Sequence, residues 1–285
     1  MTFLRFLLLA LPALACSTPH AADGVPPHEN FQLESRHLHE SRTINVYLPP
    51  HDVKTSGLPV LYMPDGGVAE DFPHVAATVD AGIREGRITP LLVVGIENTQ
   101  RRRDMTGPTT VDSDRQIAPV VGGSAAFRAF IADELIPEIE RRYQPGPSRG
   151  IIGESLAGLF VVETLFEQPE LFDRYIALSP SLWWNDAALT ESAAARLARL
   201  RGLDASVYIA WADESNIGPQ AEALTATVRR AALPRLRWTA VPRPDLRHDT
   251  IYRTLENEAV RNLYPTSPGR AGSIGAAEQG APTAH

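Results

Sequence analysis

A single cysteine among 285 residues, Cys16, excludes any disulfide within the chain. Basic surplus is absent too. Twenty-seven Lys and Arg stand against 34 Asp and Glu, a formal charge of -7, so nucleic-acid binding lacks its main electrostatic driving force and no nucleic-acid partner is expected. Beyond residue 16 no apolar run approaches the roughly 20 residues that cross a bilayer. No Cys-x-x-Cys or His-x-x-x-His spacing occurs, so neither a protein-bound metal nor a cofactor is expected. Residues 265–285 are mainly Gly, Ala, Pro and Ser with little to bury, and read as a disordered tail.

What the N-terminus does contain is Arg5, an apolar run over residues 6–14, and Ala13-Leu14-Ala15 ahead of Cys16. This is the outline of an export signal over residues 1–15. Leu14-Ala15-Cys16 resembles a lipoprotein signal, although Ala13 stands where a larger aliphatic residue is usual, and Ala13-x-Ala15 also suits ordinary signal peptidase cleavage. The expectation is that Cys16 is the acylated first mature residue, a lipid anchor to the membrane, with the protein in the periplasm or cell envelope. Residues 16–30 are Pro-rich and polar and read as a linker.

Residues 31–264 fit one α/β domain. Alternating segments over 31–39 and 41–48 predict an antiparallel edge pair. Short apolar runs at 58–63, 88–96, 150–153, 175–178, 206–212 and 236–241 predict buried strands. Helical patterns cover 72–85, 125–143, 156–166, 187–201, 219–233 and 249–263. Strands alternating with helices imply a mostly parallel sheet covered on both faces, with ligands beyond the carboxyl ends of the strands.

The segment Gly153-Glu-Ser155-Leu-Ala-Gly158 joins one of these strands to its helix. Such a bend exposes a serine hydroxyl in α/β-hydrolases, although the motif there has glycine at the position of Ala157. Serine needs a general base. His20, His28, His37, His39, His51 and His74 precede Ser155 and His285 ends the tail, so His248 alone suits the chain order Ser, acid, His. For the acid, Asp213 ranks first on its shorter side chain, and Glu214, Glu222 and Asp245 stay open. An oxyanion needs two backbone donors, and Leu156 N–H and Gly67 N–H are the candidates.

Four segments in order resemble the esterase-D or enterochelin-esterase family of α/β-hydrolases: Leu61-Tyr-Met-Pro-Asp-Gly66, Asn98-Thr-Gln-Arg101 through Asp104-Met105, the Ser155 turn, and Ser179-Pro-Ser-Leu-Trp183-Trp184. The resemblance implies an α/β-hydrolase fold and a serine esterase. It carries Ser155, His248, Gly67 and Leu156 onto matching roles and places Arg101 beside the site. Exported family members include periplasmic esterases that hydrolyse the trilactone of catecholate siderophores such as enterobactin, so a small-molecule ester, as large as a ferric siderophore, is the implied partner. Other members hydrolyse feruloyl esters or thioesters. Arg101, Arg102 and Arg103 would offer a cationic loop to an anionic catecholate, and Trp183 and Trp184 could stack on it. The competing reading is an envelope-anchored hydrolase-fold protein that binds such a ligand without turning it over.

Overall fold

The computed structural model describes residues 25–51 and 53–266. The export signal, Cys16, the first part of the linker and residues 267–285 lie outside the described residues. The chain runs β1 (His28–Ser35), β2 (Glu40–Tyr47), β3 (Val60–Met63), α1 (Phe72–Arg84), β4 (Leu92–Ile96), α2 (Arg101–Asp104), α3 (Asp112–Arg115), α4 (Ser124–Phe130) and α5 (Ile136–Tyr143). It continues through β5 (Arg149–Glu154), α6 (Leu156–Glu167), β6 (Arg174–Leu178), α7 (Trp184–Glu191), α8 (Ala193–Ala198), β7 (Ala205–Ala212), α9 (Gly218–Ala231), β8 (Leu236–Arg243) and α10 (His248–Leu263). β1 begins inside the stretch read as linker, and Pro265 bridges Ile88, so both borders of the domain lie slightly outside 31–264.

The eight strands form one sheet in the order β1-β2-β4-β3-β5-β6-β7-β8. β1, β2 and β4 pair antiparallel, and every pairing from β4 through β8 is parallel. Val60–Met63 and Leu92–Ile96 are buried at every residue, as continuous apolar runs require when helices cover both faces. Phe72, Val75 and Val79 of α1 join Ile251, Leu255 and Leu263 of α10 on one face. Phe127 and Phe130 of α4, Leu159 and Phe160 of α6 and Leu224 of α9 fill the other. This is the expected α/β-hydrolase arrangement. From β3 the chain goes outward to β4 and then returns to β5 on the other side, so the strand order reverses between β3 and β5. A crevice opens beyond the carboxyl ends of strands at such a reversal. The loops that follow these strands hold Asp65 to Gly67 and Ser155.

Two helices depart from the expected pattern. The helix expected over 125–143 contains a π-helical turn, Ile131–Leu135, just ahead of Pro137. Proline has no N–H to give the ladder, and a widened turn accommodates the loss. The helix expected over 187–201 is entered through three left-handed residues, Asn185, Asp186 and Ala187, and breaks at Ser192. Asn185 is held from outside: its N–H donates to Asp114 Oδ2 (2.7 Å), and its Oδ1 accepts from Thr110 N–H (3.0 Å).

An ion cluster fixes the α2 turn against β2. Arg42 is fully buried, paired closely with Asp104 and at 2.5 Å with Glu40. Arg103 donates to Glu40 (2.8 Å) and Asp104 (2.6 Å). Burial alone would raise Glu40, but hydrogen bonds from Arg103 and Thr99 and the charges of Arg42 and Arg103 bring it down to about 2. Replacing Arg42 by Leu strands a buried carboxylate and should cost about 3–5 kcal/mol in urea unfolding at pH 7. Glu40 holds its proton less tightly folded than unfolded. Its contribution is therefore present above about pH 4.5 and lost as pH falls toward 2. The gap between the wild type and Arg42→Leu should narrow over that range, and a gap below about 1 kcal/mol at pH 7 would contradict a stabilising cluster.

Candidate active site

Ser155 sits between β5 and α6 with φ 59° and ψ -120°, a conformation that L residues rarely hold. The turn is fixed from several sides. Ser155 N–H donates to Leu178 O (3.0 Å), and Ser155 O accepts from Leu159 N–H (2.9 Å) and Ser181 N–H (3.0 Å). A Cβ at Gly153 would lie 2.6 Å from the Ala157 carbonyl carbon, so glycine is required there. The Ala157 departure also acquires a location. Its methyl faces Gly153, while Gly158 passes close to β6, where an added Cβ would stand 3.1 Å from Leu178 O and from Pro180 Cα.

His248 opens α10, and its Nε2 lies 3.0 Å from Ser155 Oγ. Its Nδ1 meets a carboxylate in a very short contact, and that carboxylate belongs to Glu214. The expectation of Asp213 is corrected here. Asp213 N–H extends the β7 edge by donating to Leu246 O (3.2 Å), and the residue is exposed. Glu214, next in the turn, reaches back across β6. Its Oε2 accepts from Ser179 Oγ (2.7 Å), and Ser179 Oγ in turn accepts from Ala212 N–H (3.3 Å). Glu222 is exposed on α9, and Asp245 pairs with Arg243 at 2.6 Å, so neither of these carboxylates takes the acid position. Ser179 and Ser181 carry no role in the sequence reading. Ser181 Oγ lies 3.4 Å from Ser155 Oγ, and the Ser179-Pro-Ser motif is the signal that could have found both.

Leu156 N–H belongs to the first turn of α6, where backbone donors have no acceptor within the helix. Gly67 differs from expectation, because its N–H donates to Glu70 Oε2 (2.7 Å), a carboxylate that Asn98 N–H also approaches at 3.3 Å. It can serve an oxyanion once Glu70 yields it.

Arg101 forms a two-pronged pair with Asp65, Nε to Oδ1 at 2.6 Å and the second prong at 2.8 Å, and reaches Glu154 O at 3.5 Å. It braces the β3 loop to the end of the nucleophile strand. Arg103 is held in the ion cluster, and exposed Arg102 donates to Ile117 O. The three arginines are thus not a uniform cationic loop. Trp184 is corrected as a stacking surface: it is 5% exposed, with its indole N–H donated to Gly107 O (2.9 Å). Trp183 is half-buried, 6.0 Å from Trp184 between ring centroids. Behind the site His74 lies between Asp71 (3.0 Å) and Glu256. Burial pulls its pKa down, but the two carboxylates outweigh burial and hold it up at about 9. Among the described residues no group of three or more His, Cys, Asp or Glu is placed to hold a metal.

A serine in line with an imidazole whose far nitrogen meets a carboxylate can lose its proton during attack. Covalent labelling of Ser155 by a fluorophosphonate should therefore slow by roughly 10²–10⁴-fold in Glu214→Ala. It should change less than about threefold in Asp213→Ala, an exposed site. Equal losses in the two variants would refute the assignment of Glu214.

Comparison with known proteins places this geometry among relatives. Residues 35–236 match the Esterase family, described as "Putative esterase". The ferri-bacillibactin esterase BesA of Bacillus subtilis (strain 168) is 34% identical over 183 residues, 56% of this chain and 61% of that protein. The siderophore triacetylfusarinine C esterase of Aspergillus fumigatus is 32% identical over 186 residues, 60% of this chain and 61% of its own length. The chain thus spans about three-fifths of these two curated relatives. A solved IroE-like serine hydrolase from Shewanella oneidensis superposes with a TM-score of 0.74 at 25% identity, covering 84% of this chain and 80% of the other. Because the family match runs from the end of β1 to the start of β8 and includes Ser155 and Glu214, the chain belongs to the Esterase family.

Proposed function

We propose that the protein is a serine esterase that hydrolyses carboxylic esters, with the trilactone of a catecholate siderophore such as enterobactin, iron-free or ferric, as substrate. The observation that carries the chemistry is the continuous chain Glu214, His248, Ser155 at the strand-order reversal. Ser155 Oγ attacks the ester carbonyl while its proton passes to His248 Nε2. Glu214 orients the imidazole and balances its positive charge, and Ser179 holds Glu214 in place. Leu156 N–H and Gly67 N–H, the latter released by Glu70, receive the oxyanion. His248 then gives the proton to the leaving alcohol. Water, losing a proton to His248, attacks the acyl-enzyme, and that proton returns to Ser155 Oγ as the bond to the acyl group breaks and the acid leaves. The names of the two siderophore esterases similar to this chain support the substrate class.

The test is incubation of the purified protein with enterobactin and with its ferric complex, followed by mass spectrometry of the linear products, each ring opening adding one water. Ser155→Ala should lose at least about 10³-fold in rate. Cleavage of feruloyl or other aryl esters with both trilactones left intact would move the substrate to that class. A protein that binds the siderophore but never labels at Ser155 would be a binder.

The proposed location is the cell envelope, through a lipid on Cys16, supported by the apolar run ahead of Leu14-Ala15-Cys16. Mass spectrometry of the mature N-terminus should find an acylated Cys16, and Cys16→Ala should move the protein from the membrane to the soluble fraction. An unmodified mature N-terminus would contradict the anchor.

A further inference from the structure

Glu154, the residue before the nucleophile, has no part in the mechanism above, yet its carboxyl is built into the site. Its Oε1 lies 3.1 Å from His248 Nε2, the nitrogen that takes the proton of Ser155. The side chain is 15% exposed, and Oε1 is buried without a hydrogen-bond partner. Tyr252, one turn after His248 on α10, likewise has a buried hydroxyl without a partner. Burying a carboxylate oxygen that accepts no hydrogen bond favours the uncharged acid.

The charged groups around it are few. Arg101 on α2 favours ionisation, while Asp71 at the start of α1, Asp65 after β3 and Glu214 after β7 oppose it. From α10 come His248 and Tyr252, and His74 of α1 stands behind the Tyr252 ring. Burial is the largest influence, and Glu154 is pushed up to about 8.

Resting on the reading of a Ser155–His248 hydrolase, we propose that Glu154 is a second carboxylate on the catalytic base, one that stabilises the His248 imidazolium formed during attack only after losing its own proton. The placement leads to this directly. When Ser155 attacks, its O–H bond breaks and a positive charge appears on the imidazole, 3.1 Å from Glu154 Oε1. An anion there lowers the barrier, and an uncharged acid does not. Glu214 acts on Nδ1 throughout; Glu154 acts on Nε2 and is switched by pH. Activity should therefore rise in one step more than it would with no ionisable group at this position.

The rate of fluorophosphonate labelling at Ser155, corrected for reagent hydrolysis, reads these steps without a known substrate. Measured from pH 5 to 10, the wild type should accelerate in two steps, the later centred near 8. Glu154→Gln keeps the shape of the side chain and cannot ionise. It should show one step, and the ratio of wild type to variant should widen with pH to roughly tenfold. A single step in the wild type, two steps in the variant, or a ratio constant with pH would each overturn the proposal. Should the variant fail to fold, the His248 imidazole followed by NMR in the wild type should shift in two steps, and one step would overturn it equally. Labelling in one step removes this inference and leaves the esterase reading standing. No labelling at any pH removes both.

Discussion

The backbone of Ser155 is the constraint on which the rest of the site depends. A non-glycine residue at positive φ costs of order 1–3 kcal/mol and persists only where its surroundings dictate it. Here the β6 end dictates it. Leu178 O takes the Ser155 N–H, and the Ser179-Pro180-Ser181 turn returns a donor to Ser155 O. Gly153 and Gly158 let α6 approach β5 and β6 closely enough for both contacts to form. Ser179, itself at φ 38°, then holds Glu214. The turn after β6 thereby holds both the nucleophile, which follows β5, and the acid, which follows β7, while His248 comes from α10.

The same end of the sheet collects more carboxylates than cations, and each is stabilised differently. Asp65 is paired with the two-pronged Arg101 and accepts a hydrogen bond from Asn98. Glu214 divides its oxygens between His248 and Ser179. Glu70 accepts backbone N–H groups from Gly67 and Asn98. Glu154 has no such donor at Oε1, and burial keeps it protonated at neutral pH. A carboxylate met by donors has its charge stabilised where it stands, whereas a buried one without them is stabilised by retaining its proton. That distinction separates Glu154 from the other three.

Much of the fold and part of the site were legible in the sequence for reasons that do not depend on packing. Continuous apolar runs marked the parallel strands, and chain order left His248 as the histidine able to serve Ser155. The misreadings share one physical cause. A group near a strand end is committed by whichever partner the fold brings beside it, not by its own length or chemistry. Asp213 has the shorter side chain, but its backbone is tied to Leu246 and the residue faces solvent; the longer Glu214 turns toward β6. Gly67 lets the backbone come close to a substrate, but a carboxylate three residues on already takes its N–H. Trp184 stands in a plausible stacking position by sequence but is buried, its indole N–H taken by Gly107 O in a segment that no local pattern announces.

The arginine triplet shows how such placement bears on substrate selection. Three adjacent cations read as a field for an anionic ligand, yet Arg101 and Arg103 are each matched to carboxylates within 3 Å. A matched pair has little field beyond a few ångströms, and salt screens what remains. With a formal net charge of -7, the protein as a whole offers a polyanionic ligand no long-range attraction. Selection among ligands then falls to short-range contacts made after arrival. The ferric catecholate proposed as substrate spreads its charge over a large and largely aromatic surface, which suits short-range contacts better than a compact anion of equal charge does.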